Sequence, residues 1–180
     1  MTTFYLIRHG EPDWDLKNAR KLQGPMRDYV PLTQRGIAQA EEAGASHQQL
    51  FSVCDLIVSS PFTRSLQTAA ILNRRLGLPL QVEFDLHEWV PDSFQKESYE
   101  DIQALHRDFY KNDGIYPQGE TRLWETKQSV LDRTKAVLER YLTYENVIVV
   151  CHGMVIAILK GYGPGQVDLC SVHEYTIEGR

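Results

Sequence analysis

A chain of 180 residues, 42% hydrophobic and 24% charged, is long enough to bury a substantial core as one soluble domain, residues 1–180, and too apolar for a disordered segment. Its formal net charge of −5 argues against nucleic acid or an anionic membrane as a partner, so positive charge that receives an anion has to be gathered locally. Cys54, Cys151 and Cys170 are too few and too irregularly spaced for a disulfide framework or a zinc knuckle, and Met1-Thr2-Thr3 opens no apolar leader, so a cytoplasmic protein is expected.

In chain order, Thr3–Ile7 is a compact apolar run with β-formers and reads as a buried first strand. The polar stretch from Gly10 to Pro31 reads as a long ordered loop. Thr33 can cap a helix whose apolar positions Ile37, Ala40, Ala43 and Leu50 recur at helical spacing. Asp55–Ser59 is a second strand. A helix from about Phe62 to Leu76 follows, stopped by Gly77 and Pro79. Leu80–Phe84 is a third strand, and Tyr99–Tyr110 fits a helix. The clearest helix is roughly Glu125–Tyr144, with Val130, Leu131, Thr134, Val137, Leu138, Tyr141 and Leu142 in one stripe. Asn146–Val150 is a fourth strand, Gly153–Lys160 a short helix and Val172–Ile177 a final strand. Strands alternating with helices predict a three-layer α/β/α sandwich with a mostly parallel central sheet.

In such sheets ligands sit beyond the carboxyl ends of the strands. Arg8-His9-Gly10 ends the first strand, and Ser59-Ser60-Pro61 the second, with Arg64 in the next helix. His87-Glu88 follows the third, and His152-Gly153 ends the fourth. Each alone has an ordinary reading: a packed histidine, a salt-bridging arginine, an exposed glutamate. Cys151 reads as a small buried residue, not a thiol nucleophile, and His47, His106 and His173 have no supporting pattern. Together, two guanidiniums suit a dianionic tetrahedral group, a neutral imidazole can attack phosphorus, and a carboxylic acid can protonate the leaving oxygen. Helix N-termini after the second and fourth strands, the latter opening at Gly153, add N–H donors. No magnesium-binding carboxylate pair accompanies these residues, so the expectation is phosphoryl transfer with no metal and no cofactor.

The chain resembles the histidine phosphatase superfamily, the phosphoglycerate-mutase-like group. The resemblance rests on Arg8-His9-Gly10-Glu11, on Leu32-Thr33 with Gly36, Gln39 and Ala40, and on Ser59-Ser60-Pro61-Phe62-Thr63-Arg64 with Gln67-Thr68-Ala69. Leu86-His87-Glu88, Gly119-Glu120 with Arg133, and His152-Gly153 complete it, over Phe4 to about Leu159. It implies that His9 is the phosphorylated nucleophile, that Arg8, Arg64 and His152 clamp the phosphoryl oxygens, and that Glu88 is general acid and then general base. Because Gly153 and not Asp follows His152, the resemblance is to the branch whose acid follows the third strand.

Two positions depart from the family's opening motif: Pro12 and Asp15 stand where Thr or Ser, and a phosphate-contacting Asn, are usual. Asp15 beside a dianion either points away or meets a basic part of the substrate. Gln23, in a slightly long loop with Lys21 and Gly24, is a candidate substrate contact. No extended mutase motif follows Glu88, which favours water as acceptor and a small-molecule phosphate ester as substrate. The alternatives are mutase-type phosphotransfer, a phosphoprotein phosphatase, or a non-catalytic module that binds phosphorylated ligands. Oligomeric state is open.

Overall fold

The computed structural model describes residues 1–96 and 98–178. Five strands form one sheet in the order β3-β2-β4-β1-β5, with β1 at Thr2–Arg8, β2 at Leu56–Ser59, β3 at Leu80–Val82, β4 at Asn146–Cys151 and β5 at Val172–Ile177. The first four run parallel, and β5 joins antiparallel against β1. The expected mostly parallel α/β sheet is what the chain forms. The helices are α1 (Trp14–Ala19), α2 (Gln34–Ser46), α3 (Gln48–Phe51), α4 (Thr63–Leu76), α5 (Tyr99–Lys111), α6 (Lys127–Glu139) and α7 (Gly153–Lys160). Among the described residues no helix is long and apolar enough to cross a membrane.

Alternation along the strands sorts the core into two layers. Phe4, Leu6, Leu56, Val58, Val147 and Val149 pack with Val130, Val137 and Leu138 of α6 and with Val155, Ile156 and Leu159 of α7. Tyr5, Ile7, Ile57, Ile148 and Val150 pack with Ala40 and Ala43 of α2 and with Ala69, Ile71 and Leu72 of α4. Both faces of the sheet are therefore covered, which is why the parallel strands are unbroken apolar runs instead of alternating ones.

Several boundaries differ from the sequence reading for local reasons. The supposed loop from Gly10 to Pro31 contains α1 and a 3-10 turn over Gly24–Tyr29. Asp13 caps α1 by accepting from the Leu16 N–H, and none of the helix's residues is buried, so it carries no apolar stripe. The third strand stops at Val82, and Phe84–Leu86 turns as a 3-10 helix. Leu50 belongs to α3, separated from α2 at His47. The long C-terminal helix begins only after Thr126, whose side chain accepts from the Ser129 N–H, and ends at Glu139. Beyond it, Tyr141 and Tyr144 donate to carbonyls three residues back, so the apolar stripe continues through turns and hides the helix end.

A buried ion pair ties two of the connecting segments together. Arg27, in the 3-10 turn, donates from Nη1 and Nη2 to both carboxylate oxygens of Asp92 at 2.9 and 2.6 Å. Asp92 also accepts from the backbone N–H groups of Phe94 and Lys96, and its side chain is 0% exposed. Burial pushes the Asp92 carboxyl up, but the Arg27 bonds and charge outweigh it and hold the group below its ordinary value. Asp92→Ala takes from Arg27 its two-pronged partner, leaving only Asp28 at 4.0 Å, and is expected to cost about 3–5 kcal/mol of stability. A lowered urea midpoint checks this; an unchanged midpoint removes the clasp from the account of the fold.

Candidate active site

The sheet register brings the two histidines together. Arg8 of β1 pairs with Cys151 of β4, and the His9 N–H donates to the Cys151 carbonyl, so His9 and His152 leave the same edge side by side. Their ring centroids are 5.2 Å apart. β2 lies on the other flank of β4, with Ser59 opposite Val150, and delivers Ser60 and the start of α4 to the same place. The strand ends make this convergence unavoidable in a parallel sheet.

His9 is held with one nitrogen committed and one available. Its Nδ1 lies 2.7 Å from the Gly10 carbonyl oxygen, which can only accept, so Nδ1 carries the proton and Nε2 presents a lone pair. Arg64 Nε donates to that Nε2 at 3.2 Å. Burial first, then the charges of Arg64 and Arg8, hold the His9 imidazole well below its ordinary value, so it is neutral and nucleophilic. The loop carrying it is pressed onto α2: a Cβ on Gly10 would come within 2.5 Å of the Gly36 carbonyl oxygen, and Gln39 Oε1 accepts from the Glu11 N–H. A Cβ on Gly36 would in turn run into the Glu11 backbone, so both positions require glycine.

Arg64 stands in the first turn of α4, its guanidinium over the rings of Phe62 and Trp14, and Nη1 lies 3.1 Å from Asp28 Oδ1. Arg8 donates from Nη1 to the Val167 carbonyl at 2.6 Å, while its Nε is buried with no partner among the described residues. A Cβ on Gly153 would lie 3.2 Å from that Nε, so glycine there leaves room for the guanidinium beside the start of α7. His152 Nε2 shares a hydrogen bond with Ser60 Oγ at 2.7 Å, and its Nδ1 is buried and unpartnered. Burial, with Arg64 and His9 nearby, holds this imidazole well below its ordinary value too. Neither α4 nor α7 has a side-chain cap, in contrast to α2, α5 and α6, which leaves first-turn N–H groups for an anion.

Glu88 completes the set. Burial pushes its carboxyl up against the opposing pull of the Trp89 and Met154 N–H groups and of Arg64 and Arg8. Its segment is fixed by Arg133, which donates to the carbonyls of Asp85 and His87 at 2.6 and 2.8 Å and pairs with both oxygens of Glu125. A raised acid beside a neutral imidazole is the pairing that proton donation to a leaving oxygen requires.

These groups open on a cavity of about 530 Å³ lined by Arg8, His9, Arg64 and Glu88 among others. His152 contacts His9 but has no surface on the cavity, and Gly153 likewise does not line it. Asp15 and Gln23 are exposed and are not among the residues that line the cavity. Pro12 does line it. Polar residues outside the motifs also line it. Lys17 and Asn18 come from α1, three and four residues after Trp14. Asp28 is the partner of Arg64. His106, read as patternless, faces the cavity from α5.

The sequence profile of the histidine phosphatase superfamily (branch 1) matches residues 4–169. The chain is 35% identical over 175 residues to the uncharacterized phosphatase PhoE of Bacillus subtilis (strain 168), spanning 95% of this chain and 82% of that one. It is 30% identical over 162 residues to a 2,3-bisphosphoglycerate-dependent phosphoglycerate mutase of Methylobacterium sp. (strain 4-46), spanning 82% and 74% of the two. A mycobacterial glucosyl-3-phosphoglycerate phosphatase complexed with VO3 superposes with a TM-score of 0.71 over 97% of this chain and 90% of that one, a likeness of fold at 22% identity. With its profile matched over most of its length, the chain belongs to the histidine phosphatase superfamily, branch 1.

Proposed function

We propose that the chain is a metal-independent phosphomonoester hydrolase that works through a phosphohistidine on His9, acts on a small phosphorylated metabolite, and does so as one unit over residues 1–180 in the cytoplasm. The observation that carries this reading is the Nε2 lone pair of His9, fixed by the Nδ1 bond to Gly10 and met by Arg64 at the cavity surface. In the first step Nε2 attacks phosphorus, the N–P bond forms, the ester P–O bond breaks, and Glu88 gives its proton to the departing oxygen. In the second, Glu88 takes a proton from water as the water attacks, the N–P bond breaks and inorganic phosphate leaves. The unpartnered Arg8 Nε supports a tetrahedral anion as the missing partner, and the guanidiniums supply the positive charge the transferring group needs. Buried, unpaired Cys54, Cys151 and Cys170 are in keeping with a reducing compartment.

The test is release of phosphate from a chromogenic ester in the presence of a strong chelator, with an acid-labile, base-stable phosphate on His9 trapped before turnover completes. Chelator-sensitive release, or no label, overturns the reading. Mutase-type transfer is the second reading, favoured by the Methylobacterium relative. Incorporation of solvent oxygen into the released phosphate separates the two, because a mutase passes the group to an organic hydroxyl.

Glu88→Gln is expected to slow esters with poor leaving groups by about 100- to 10,000-fold while barely slowing those with good ones. Activity needs His9 neutral and Glu88 protonated. The lowered His9 value puts the acid limb of kcat/KM below the ordinary 6.5, and the raised Glu88 value puts the alkaline limb above the ordinary 4.5. Activity therefore falls as pH rises through the Glu88 value, and the Gln variant loses that limb. Equal slowing of both ester classes with an unchanged profile removes Glu88 from the acid role.

A further inference from the structure

Resting on that hydrolase reading, we propose that the cavity next to the anion site is a compartment for a flat, apolar leaving group, so that the preferred esters are aryl or arylalkyl phosphates, and that His106 is its specificity-determining hydrogen-bonding contact. The apolar and aromatic part of the lining comes mainly from Trp14, Phe94, Tyr99, Ile102, Met154 and Leu169. Tyr99, Ile102 and His106 stand at i, i+3 and i+7, on one face of α5, and all three line the cavity. A second strut joins α5 to α7, where the Tyr110 hydroxyl donates to Met154 Sδ at 3.0 Å. Lys17 and Asn18 of α1 and the Arg27–Asp28 pair add polar groups to the lining.

Phe94 shows that this wall is built, not incidental. Ser93 and Phe94 both have positive φ, 51° and 59°, conformations that L side chains rarely adopt. The turn is held by Asp92, which accepts from the Phe94 N–H, and the Arg27 guanidinium lies 5.0 Å from the Phe94 ring centroid. His106 is set edge-on to Trp89 with centroids 4.6 Å apart, which fixes its plane. Neither of its ring nitrogens has a hydrogen-bond partner among the described residues, and burial holds the imidazole below its ordinary value. A neutral imidazole offers one donor and one acceptor, so the matching substituent is an uncharged hydroxyl or amide on the ring.

Binding of phosphonates, which are not hydrolysed, tests the compartment apart from the chemistry. Titration calorimetry with the full chain should find benzylphosphonate binding on the order of 10- to 100-fold tighter than methylphosphonate, from burial of the ring. A hydroxymethyl group on that ring should add roughly five- to ten-fold in the wild type, the worth of one neutral hydrogen bond. His106→Phe should abolish the hydroxymethyl gain and keep the benzyl gain, and His106→Gln should restore part of it. Equal binding of the methyl and benzyl ligands overturns the compartment. A hydroxymethyl gain that survives in His106→Phe overturns the role of His106. Hydrolysis of acetyl phosphate, which has no ring, reports on His9 alone. Its turnover without a benzyl preference leaves the hydrolase reading standing and this inference lost; a benzyl preference without any turnover does the reverse.

Discussion

His9→Ala is expected to lower kcat by on the order of a million-fold for every ester tried, the usual scale for removing a covalent nucleophile, and to leave no phosphate bound to the protein. The size of the effect follows from the lack of a substitute. Cys151 is next in line by chemistry, but burial pushes its thiol up to about 12, so it holds no thiolate at neutral pH. Ser60 Oγ is bonded to His152, and Ser65 is fully buried beside it. No neighbour can take over the attack. Circular dichroism and a urea melt should show the variant folded, because His9 contributes a ring at a strand end and not a core side chain. Turnover within ten-fold of wild type would end the phosphohistidine account.

Arg64→Ala is expected to lower kcat/KM by about a thousand-fold, since one preorganised donor on a charged transition state is worth nearly that and Arg64 brings a full charge as well. The substitution has a second consequence that must be separated from the first. Asp28 sits 3.1 Å from the guanidinium with its side chain 12% exposed, and loses the nearer of its two counter-ions, keeping only Arg27 at 4.0 Å. Breaking a buried pair on one side costs about 3–5 kcal/mol. Arg64→Ala combined with Asp28→Asn removes the stranded charge, so stability should recover while activity stays low. Activity that returns together with stability would make Arg64 a structural residue and take it out of the anion clamp.

Chain-local patterns revealed the sheet and the cluster of side chains at its edge for the same physical reason. Buried parallel strands are unbroken apolar runs, and the residue after each run is carried to one edge of the sheet, so Arg8, His9 and His152 announced their own convergence. Glu88 and Arg64 followed from their distance to the neighbouring strand ends. What stayed hidden depends on pairs far apart in the chain. Arg64 and Asp28 are 36 residues apart, and Arg27 and Asp92 are 65 apart, so no periodicity links them. α1 was missed because a six-residue helix with nothing buried has no stripe to read. His106 was dismissed because its surroundings come from the folding of α5 across the cavity, which its own neighbours in sequence do not encode.

The close approach of Gly10 to Gly36 has a consequence for how such an enzyme can diversify. The turn after the first strand tolerates no added methyl group there, so drift at Gly10 and Gly36 is nearly forbidden. The lining formed by Phe94, Tyr99 and Ile102, by contrast, rides on α5 and on a segment fastened by one ion pair, where side chains can be exchanged without disturbing the backbone beneath the nucleophile. New preferences can therefore arise by replacing the furniture of one wall while the reactive machinery is inherited intact.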